Sequence, residues 1–240
     1  MILIVLLIEH VLAILKKNIT IMIVLIGGEK GGTGKTTIVT NLAAYRYSVN
    51  SKAPILIVDS DPQGSASDWV YYRKENGVKG IDCIQLFDKR IASEVPDQHE
   101  RYGDIIIDAG GRDSKELRYA MGIADIMVVP VGASQYDLNT MEQIEQLLIQ
   151  IQTMNQNLKC YVVINKLRNI PNLKEKDEAI EFLKDFEGIK ICDFQIHERI
   201  AFTRSSSSGL GVSEMKGDKG QVIDPKAMQE IEKLHEVIWS

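Results

Sequence analysis

Gly27-Gly28-Glu29-Lys30-Gly31-Gly32-Thr33-Gly34-Lys35-Thr36-Thr37 stands between an apolar run, Ile21-Met22-Ile23-Val24-Leu25-Ile26, and a stretch over residues 38–47 that reads as a helix. Buried strand, glycine-rich turn, Gly-Lys-Thr, helix is the order a phosphate-binding P-loop requires. Glycines let successive backbone N–H groups curl around phosphate oxygens, and the helix N-terminus adds a field that favours anions. Lys35 is placed to reach the β- and γ-phosphates, and the Thr36 hydroxyl to ligate Mg²⁺. The loop also departs from the usual spacing. The position five before Gly34 is Glu29 instead of glycine, and a second lysine, Lys30, lies inside the loop.

The chain has 240 residues, 45% of them hydrophobic, enough for one substantial α/β core. Its net charge of −5 gives no overall basic footprint, so any DNA contact has to come from a local patch. Cys83, Cys160 and Cys192 are far apart and lack metal-ligand spacing, which reads as buried thiols of a reducing cytosol. His10, His99, His197 and His235 likewise show no ligand spacing.

Residues 1–21 are apolar in two blocks, broken by Glu9-His10 and followed by Lys16-Lys17. They are too short and interrupted for a spanning helix, which needs about 20 apolar residues. Their positive charge follows the apolar run, the reverse of a secretory signal. The segment is read as an extension ahead of a start at Met22. A packing or interfacial helix and a membrane anchor are the alternatives. Residues 22–240 form the expected P-loop domain.

Downstream, apolar strands and helices alternate. Strands are expected at residues 54–59, 81–87, 104–108, 125–131, 159–165 and 189–193. Helices are expected at 68–76, 88–101, 114–124, 138–154, 173–186, 198–205 and 225–239, with the Ser205–Ser208 run as a loop or helix end. Near-continuous Val/Ile/Leu strands separated by helices imply a doubly wound α/β fold, its mostly parallel sheet covered on both faces.

Asp59-Ser60-Asp61-Pro62-Gln63-Gly64 follows the second strand, at the carboxyl end where open α/β sheets hold ligands. Ile105-Ile106-Ile107-Asp108 is an apolar strand ending in a carboxylate, the pattern that holds Mg²⁺ in phosphoryl-transfer sites. Val162-Val163-Ile164-Asn165 ends in an amide, read either as a base contact, since an amide donates and accepts, or as a strand-end cap.

Together these segments resemble the deviant Walker-A ATPases of the ParA/MinD family, above all the small plasmid partition proteins without a helix-turn-helix domain. The likeness spans residues 22–239. It implies a weak Mg²⁺-ATPase whose ATP-bound homodimer, a sandwich, binds DNA without sequence preference. A ParB-like adaptor would stimulate hydrolysis. By the resemblance Lys30 crosses the dimer interface to the partner's nucleotide. Asp61 orients the attacking water, and Asp59 supports the Mg²⁺ shell with Asp108 and Thr36. Gly31, Gly32, Thr33, Gly34, Lys35, Thr36 and Thr37 hold phosphate, Gly111 senses the γ-phosphate, and Asn165 reads adenine.

Residues 196–202 and 209–212 resemble the C-terminal pattern of the same proteins. That makes Arg199, Arg204, Lys216 and Lys219 the candidate DNA contacts, with a solvated mixed-charge face as the alternative. The expected location is cytoplasmic, on the nucleoid when ATP is bound. A same-fold regulator that positions a protein cargo carries identical motifs. A MinD-like membrane switch is disfavoured by Glu230, Glu232 and Glu236 in the last helix, which an anionic bilayer would repel. A redox ATPase resembling nitrogenase iron protein would need cluster cysteines, and none lies between Asp108 and Ser134.

Overall fold

The computed structural model describes residues 21–50, 53–111, 114–168 and 174–240. The expectations for residues 1–20 lie outside the described residues, as does the beginning of the helix expected from Leu173. Seven strands form one sheet: β1 (Ile23–Ile26), β2 (Ile55–Asp59), β3 (Ile81–Gln85), β4 (Asp104–Asp108), β5 (Ile126–Val131), β6 (Lys159–Leu167) and β7 (Ile189–His197). Their order is β3-β2-β4-β1-β5-β6-β7, and every pairing is parallel. The helices are α1 (Lys35–Val49), α2 (Ser65–Glu75), α3 (Arg90–Glu94), α4 (Lys115–Ile123), α5 (Gln135–Leu138), α6 (Met141–Gln152), α7 (Glu175–Leu183), α8 (Ile200–Ser208) and α9 (Pro225–Trp239).

Alternate residues of each central strand enter opposite layers, which is why the strand sequences are apolar throughout. Ile23, Leu25, Ile105, Ile107 and Met127 pack with Leu117 and Met121 of α4 and with Ile144 and Leu148 of α6. Val24, Ile26, Ile106 and Val128 pack on the other face with Ile38 and Leu42 of α1, Trp69 of α2, Phe202 of α8 and Leu234 of α9. The chain crosses from β1 outward in both directions, so the carboxyl end of β1 is the topological switch point, where such sheets bind ligands.

Several elements differ from the sequence expectation, among them the helix expected over 88–101, which is α3 followed by a 3-10 turn at Pro96–Glu100. Helix α2 begins at Ser65, three residues early, because Gly64 takes a left-handed conformation (φ 68°) and the Asp59 carboxylate accepts from the Ser67 N–H at 2.9 Å. A carboxylate at that helix end is favoured by the helix dipole. The helix expected over residues 138–154 is two helices. The Thr140 hydroxyl donates to the Asp137 carbonyl at 2.7 Å and closes the first one. Strand β7 continues to His197, with Phe194 and Ile196 buried and polar residues between them, as suits an edge strand.

The serine run is helical to Ser208. Its hydroxyls bond back to carbonyls of the preceding turn, and side chains of α2 satisfy the helix end. Trp69 Nε1 donates to Ser205 O at 3.3 Å, Asn76 Nδ2 to Ser208 O at 2.8 Å and Arg73 Nη1 to Gly209 O at 3.2 Å.

Arg73 is fully buried and forms a two-pronged pair with Glu214, both N–O distances being 2.7 Å. Removing one partner of a buried pair strands the other and costs about 3–5 kcal/mol. Arg73→Ala is therefore expected to lower stability by about 3 kcal/mol, read as a reduced midpoint of urea unfolding.

Candidate nucleotide and metal site

The loop between β1 and α1 is shaped by what surrounds it. Gly34, at φ 90°, closes the loop and leaves no room for a side chain, since a Cβ there would come 2.5 Å from Asn165 Nδ2. That amide donates to the Thr33 carbonyl at 2.6 Å. Beside it Lys166, itself at φ 56°, donates to the Gly32 carbonyl at 2.6 Å. From the other side, a Cβ on Gly111 would come 2.7 Å from the Gly31 nitrogen, so the turn after β4 rests directly on the loop. Two bare backbones touching there couple any movement of one loop to the other.

The two lysines of the loop have opposite surroundings. Lys35 is 6% exposed and its ammonium donates to the Lys30 carbonyl at 2.8 Å, inside the loop. Burial lowers its pKa, against the raising influence of Asp108 and Asp61 nearby. The Lys30 side chain is 42% exposed and pairs with Asp137 of α5, both of them lining a cavity with Gly31, Gly32 and Thr33. The second Asp137 oxygen accepts from the Ser134 hydroxyl at 2.6 Å.

The carboxylates stand on the β4–β2 side. Thr36 Oγ1 donates to Asp108 Oδ2 at 2.7 Å. Asp108 Oδ1 is buried without a hydrogen-bond partner. Burial first, and the Asp59 and Asp61 charges after it, push the Asp108 pKa up to about 7 despite the Thr36 hydrogen bond. Asp59 is also raised by burial, and both its oxygens are taken, one by the Asp61 N–H and the other by the N–H and hydroxyl of Ser67. Asp61 accepts from the Gln63 N–H at 2.9 Å and lies against Gly110.

This donor set fits Mg²⁺ in the way P-loops hold it. A hard cation takes a hydroxyl and carboxylate oxygens, keeps several waters and shares the phosphate. An orphaned buried carboxylate oxygen next to the threonine hydroxyl supplies the place and the charge. Among the described residues no three His, Cys, Asp or Glu side chains form a ready cage. The fit is therefore to an ion that arrives with its nucleotide. Thr36 and Asp108 would hold it, with Asp59 behind them fixing the Asp61 loop.

All the expected phosphate and metal residues thus meet at one end of the sheet. Sequence reasoning assigned no role to Asp137, Lys166 or Ser67. Lys166 acts through a backbone carbonyl 134 residues away, Ser67 through the Asp59 carboxylate eight residues before it, and Asp137 through Lys30. Arg199 is a correction to the expected DNA contacts. Its Nη2 and Nε donate to Glu230 at 2.6 and 3.1 Å and the side chain is 14% exposed, so the guanidinium is committed inside the protein. Arg204, Lys216 and Lys219 are exposed. On the last helix Glu236 is exposed as expected, but the other two acidic residues are engaged within the protein. Glu230 is buried and Glu232 accepts from the Tyr45 hydroxyl at 2.7 Å. What occupies that helix is the core, through Ala227, Ile231, Leu234 and Ile238.

Fold and site together define a P-loop nucleotide-binding protein with its metal-side carboxylates at the ends of β2 and β4. The model of the CobQ/CobB/MinD/ParA nucleotide-binding domain matches residues 24–212, and the chain belongs to this family of ParA/MinD ATPases. It is 29% identical over 190 residues to the maintenance of carboxysome distribution protein A of Gloeobacter kilaueensis, covering 78% of this chain and 82% of that one. To the chromosome-partitioning ATPase Soj of Thermus thermophilus it is 29% identical over 140 residues, covering 47% and 55% of the two chains. The Cyanothece McdA–ATP complex shares the fold with a TM-score of 0.71 at 16% identity, over 92% of this chain and 98% of that one. MinD of Aquifex aeolicus gives 0.66 at 18%, over 90% and 95%.

Asp108→Asn should separate the metal from the phosphate. In EDTA its affinity for ATP is expected to equal that of the wild type, whereas the gain on adding Mg²⁺ should disappear. The same change removes a buried charge. It should therefore raise the Tm of the nucleotide-free protein by roughly 2–4 °C for each kcal/mol of desolvation relieved. Calorimetric titration and a thermal melt measure the two effects.

Proposed function

We propose that the chain is a Mg²⁺-dependent ATPase with weak intrinsic turnover, whose ATP-bound homodimer carries a cargo along nonspecific DNA. The observation that carries the reading is the division of labour between Lys35 and Lys30. A lysine buried in its own loop serves the phosphates of its own chain. A second, exposed and paired with the Asp137 carboxylate, is placed to serve a nucleotide bound by a second copy. A cation delivered across an interface stabilises charge on the transferring phosphoryl group, as an arginine finger does. Asp61, on the loop beside Gly110, orients the attacking water. Phosphoryl transfer asks little more of the protein than this positioning and charge. Gly111, packed on Gly31, relays the presence of the γ-phosphate.

The cargo has two readings. Plasmid or chromosome partition with a ParB-like adaptor is supported by the likeness to Soj. Positioning of a protein assembly is supported by two relatives named for carboxysome distribution, whose matches cover most of both chains. The ATP cycle is common to both. Among the described residues no helix is long and apolar enough to cross a membrane, and the stripe of α9 that would meet a bilayer is spent on the core. DNA binding is assigned to Arg204, Lys216 and Lys219, two copies of a weak patch becoming one bivalent surface on dimerisation.

Lys35→Ala is expected to abolish ATP binding. Lys30→Ala should bind ATP as the wild type does but neither dimerise nor hydrolyse it, as followed by size-exclusion chromatography and phosphate release. Normal turnover by Lys30→Ala would sink the assignment.

For DNA, Arg204→Ala with Lys219→Ala should weaken binding equally on unrelated duplexes and reduce the salt slope by about 1 per lost phosphate contact. Shift assays at two salt concentrations, with and without ATP, measure it. Tight binding without ATP would contradict the proposal.

A further inference from the structure

The sheet order sets the direction in which a nucleotide lies across the site. Thr36, Asp108, Asp59 and Asp61 mark the metal end, on the β4–β2 side of β1. The terminal phosphates belong there, so the nucleoside leaves on the opposite side, toward β6 and β7. On that side, directly against the first turn of α1, lies a cavity of about 160 Å³. Its walls include Gly34, Thr37, Asn165, His197, Arg199 and Phe202.

Two of these wall residues are held by one side chain from outside the site. Glu230 of α9 is 8% exposed. It accepts from the His197 N–H at 3.2 Å and from Arg199 Nε and Nη2 at 3.1 and 2.6 Å, and its Oε1 lies 2.7 Å from His197 Nδ1. Asp224 adds a longer contact to Arg199 at 4.0 Å. The neighbouring inward residues of α9 are Ala227, Ile231 and Leu234, so an apolar side chain would have completed the stripe. Withdrawing a carboxylate from water is costly unless every lone pair is answered. Here the answering groups are His197 and Arg199, both on the cavity wall.

We infer that Glu230 is a positioning residue for nucleoside binding. From the C-terminal helix it fixes His197 and Arg199 as a preformed wall against which the nucleoside half of ATP rests. A wall ordered in advance spares the ordering cost at the moment of binding. Glu230 also neutralises Arg199, which keeps the guanidinium from turning inward to the phosphates. The inference rests on the nucleotide reading above and adds a residue about 200 positions from the P-loop.

The test compares two ligands on the full chain by isothermal titration calorimetry. One is ATP with Mg²⁺. The other is inorganic tripolyphosphate with Mg²⁺, which engages the loop alone. Glu230→Ala should weaken ATP binding about tenfold, a loss that fits a displaced wall, and leave tripolyphosphate unchanged. Glu230→Gln, isosteric but turning an NH₂ toward Arg199, should weaken ATP severalfold in the same direction, and it carries the comparison if the alanine variant does not fold. Unchanged ATP affinity in both variants overturns the inference, and so does an equal loss for both ligands, which is the mark of general damage. Failure of the wild type to bind either ligand, or retention of ATP by Lys35→Ala, overturns the nucleotide reading instead.

Discussion

The hydrogen bond from Thr36 to Asp108 joins the first turn of α1 to the carboxyl end of β4, and the rest of the site is arranged around it. It requires α1 to start directly above β1 and β4 to lie beside β1. It also brings a carboxylate into a place where water cannot reach its second oxygen. With Asp59 and Asp61 close by, the β4–β2 end of the sheet gathers three carboxylates, and one oxygen of Asp108 has no hydrogen-bond partner. The upward shifts of Asp108 and Asp59 come first from burial and only then from the neighbouring charges. A site built this way is unfavourable alone and favourable with a divalent cation. Answering a carboxylate held out of water is one route by which a nucleotide and its metal shift a conformational equilibrium.

The residues around this bond were legible because their chemistry is local in sequence. Gly31 to Thr37 form one loop, and Asp59 and Asp108 each end a run of apolar residues that can only be a buried strand. The sheet itself could be read for the same reason, since an all-apolar strand implies cover on both faces. What could not be read was set by long-range partners. Nothing in the sequence between Ser60 and Ser67 announces that Asp59 reaches forward to cap α2. Thr140 looks like an ordinary helical residue until its hydroxyl is seen to close α5.

The acidic residues of the last helix and Arg199 show the same limit more sharply. A charged residue in a sequence is read as solvated unless a partner is known. The partners here lie 31 residues apart for Arg199 and Glu230 and 187 for Tyr45 and Glu232. Pairing turns both members inward and changes what each can do. Arg199 passes from a surface cation to a wall of the nucleotide side. Glu230 passes from a group that would repel a bilayer to one that organises a cavity. Arg73 and Glu214 are a third such pair, and they fasten α2, which follows the Asp61 loop, to the segment that carries Lys216 and Lys219.

The parallel sheet also has a consequence for biosynthesis. The central strand β1 is made first of the seven, yet its neighbours are β4 and β5, and its pairings reach from Ile23 to Ile105 and from Val24 to Ile126. At about 5–20 residues per second, roughly 4–16 s of translation separate β1 from its first partner. Throughout that interval Ile23-Val24-Leu25-Ile26 has no sheet to join and no hairpin to hide in. A nascent chain of this topology therefore carries an all-apolar strand without its sheet partners until β4 has been made. Any delay before β4 is made thus lengthens the time in which that strand can pair wrongly.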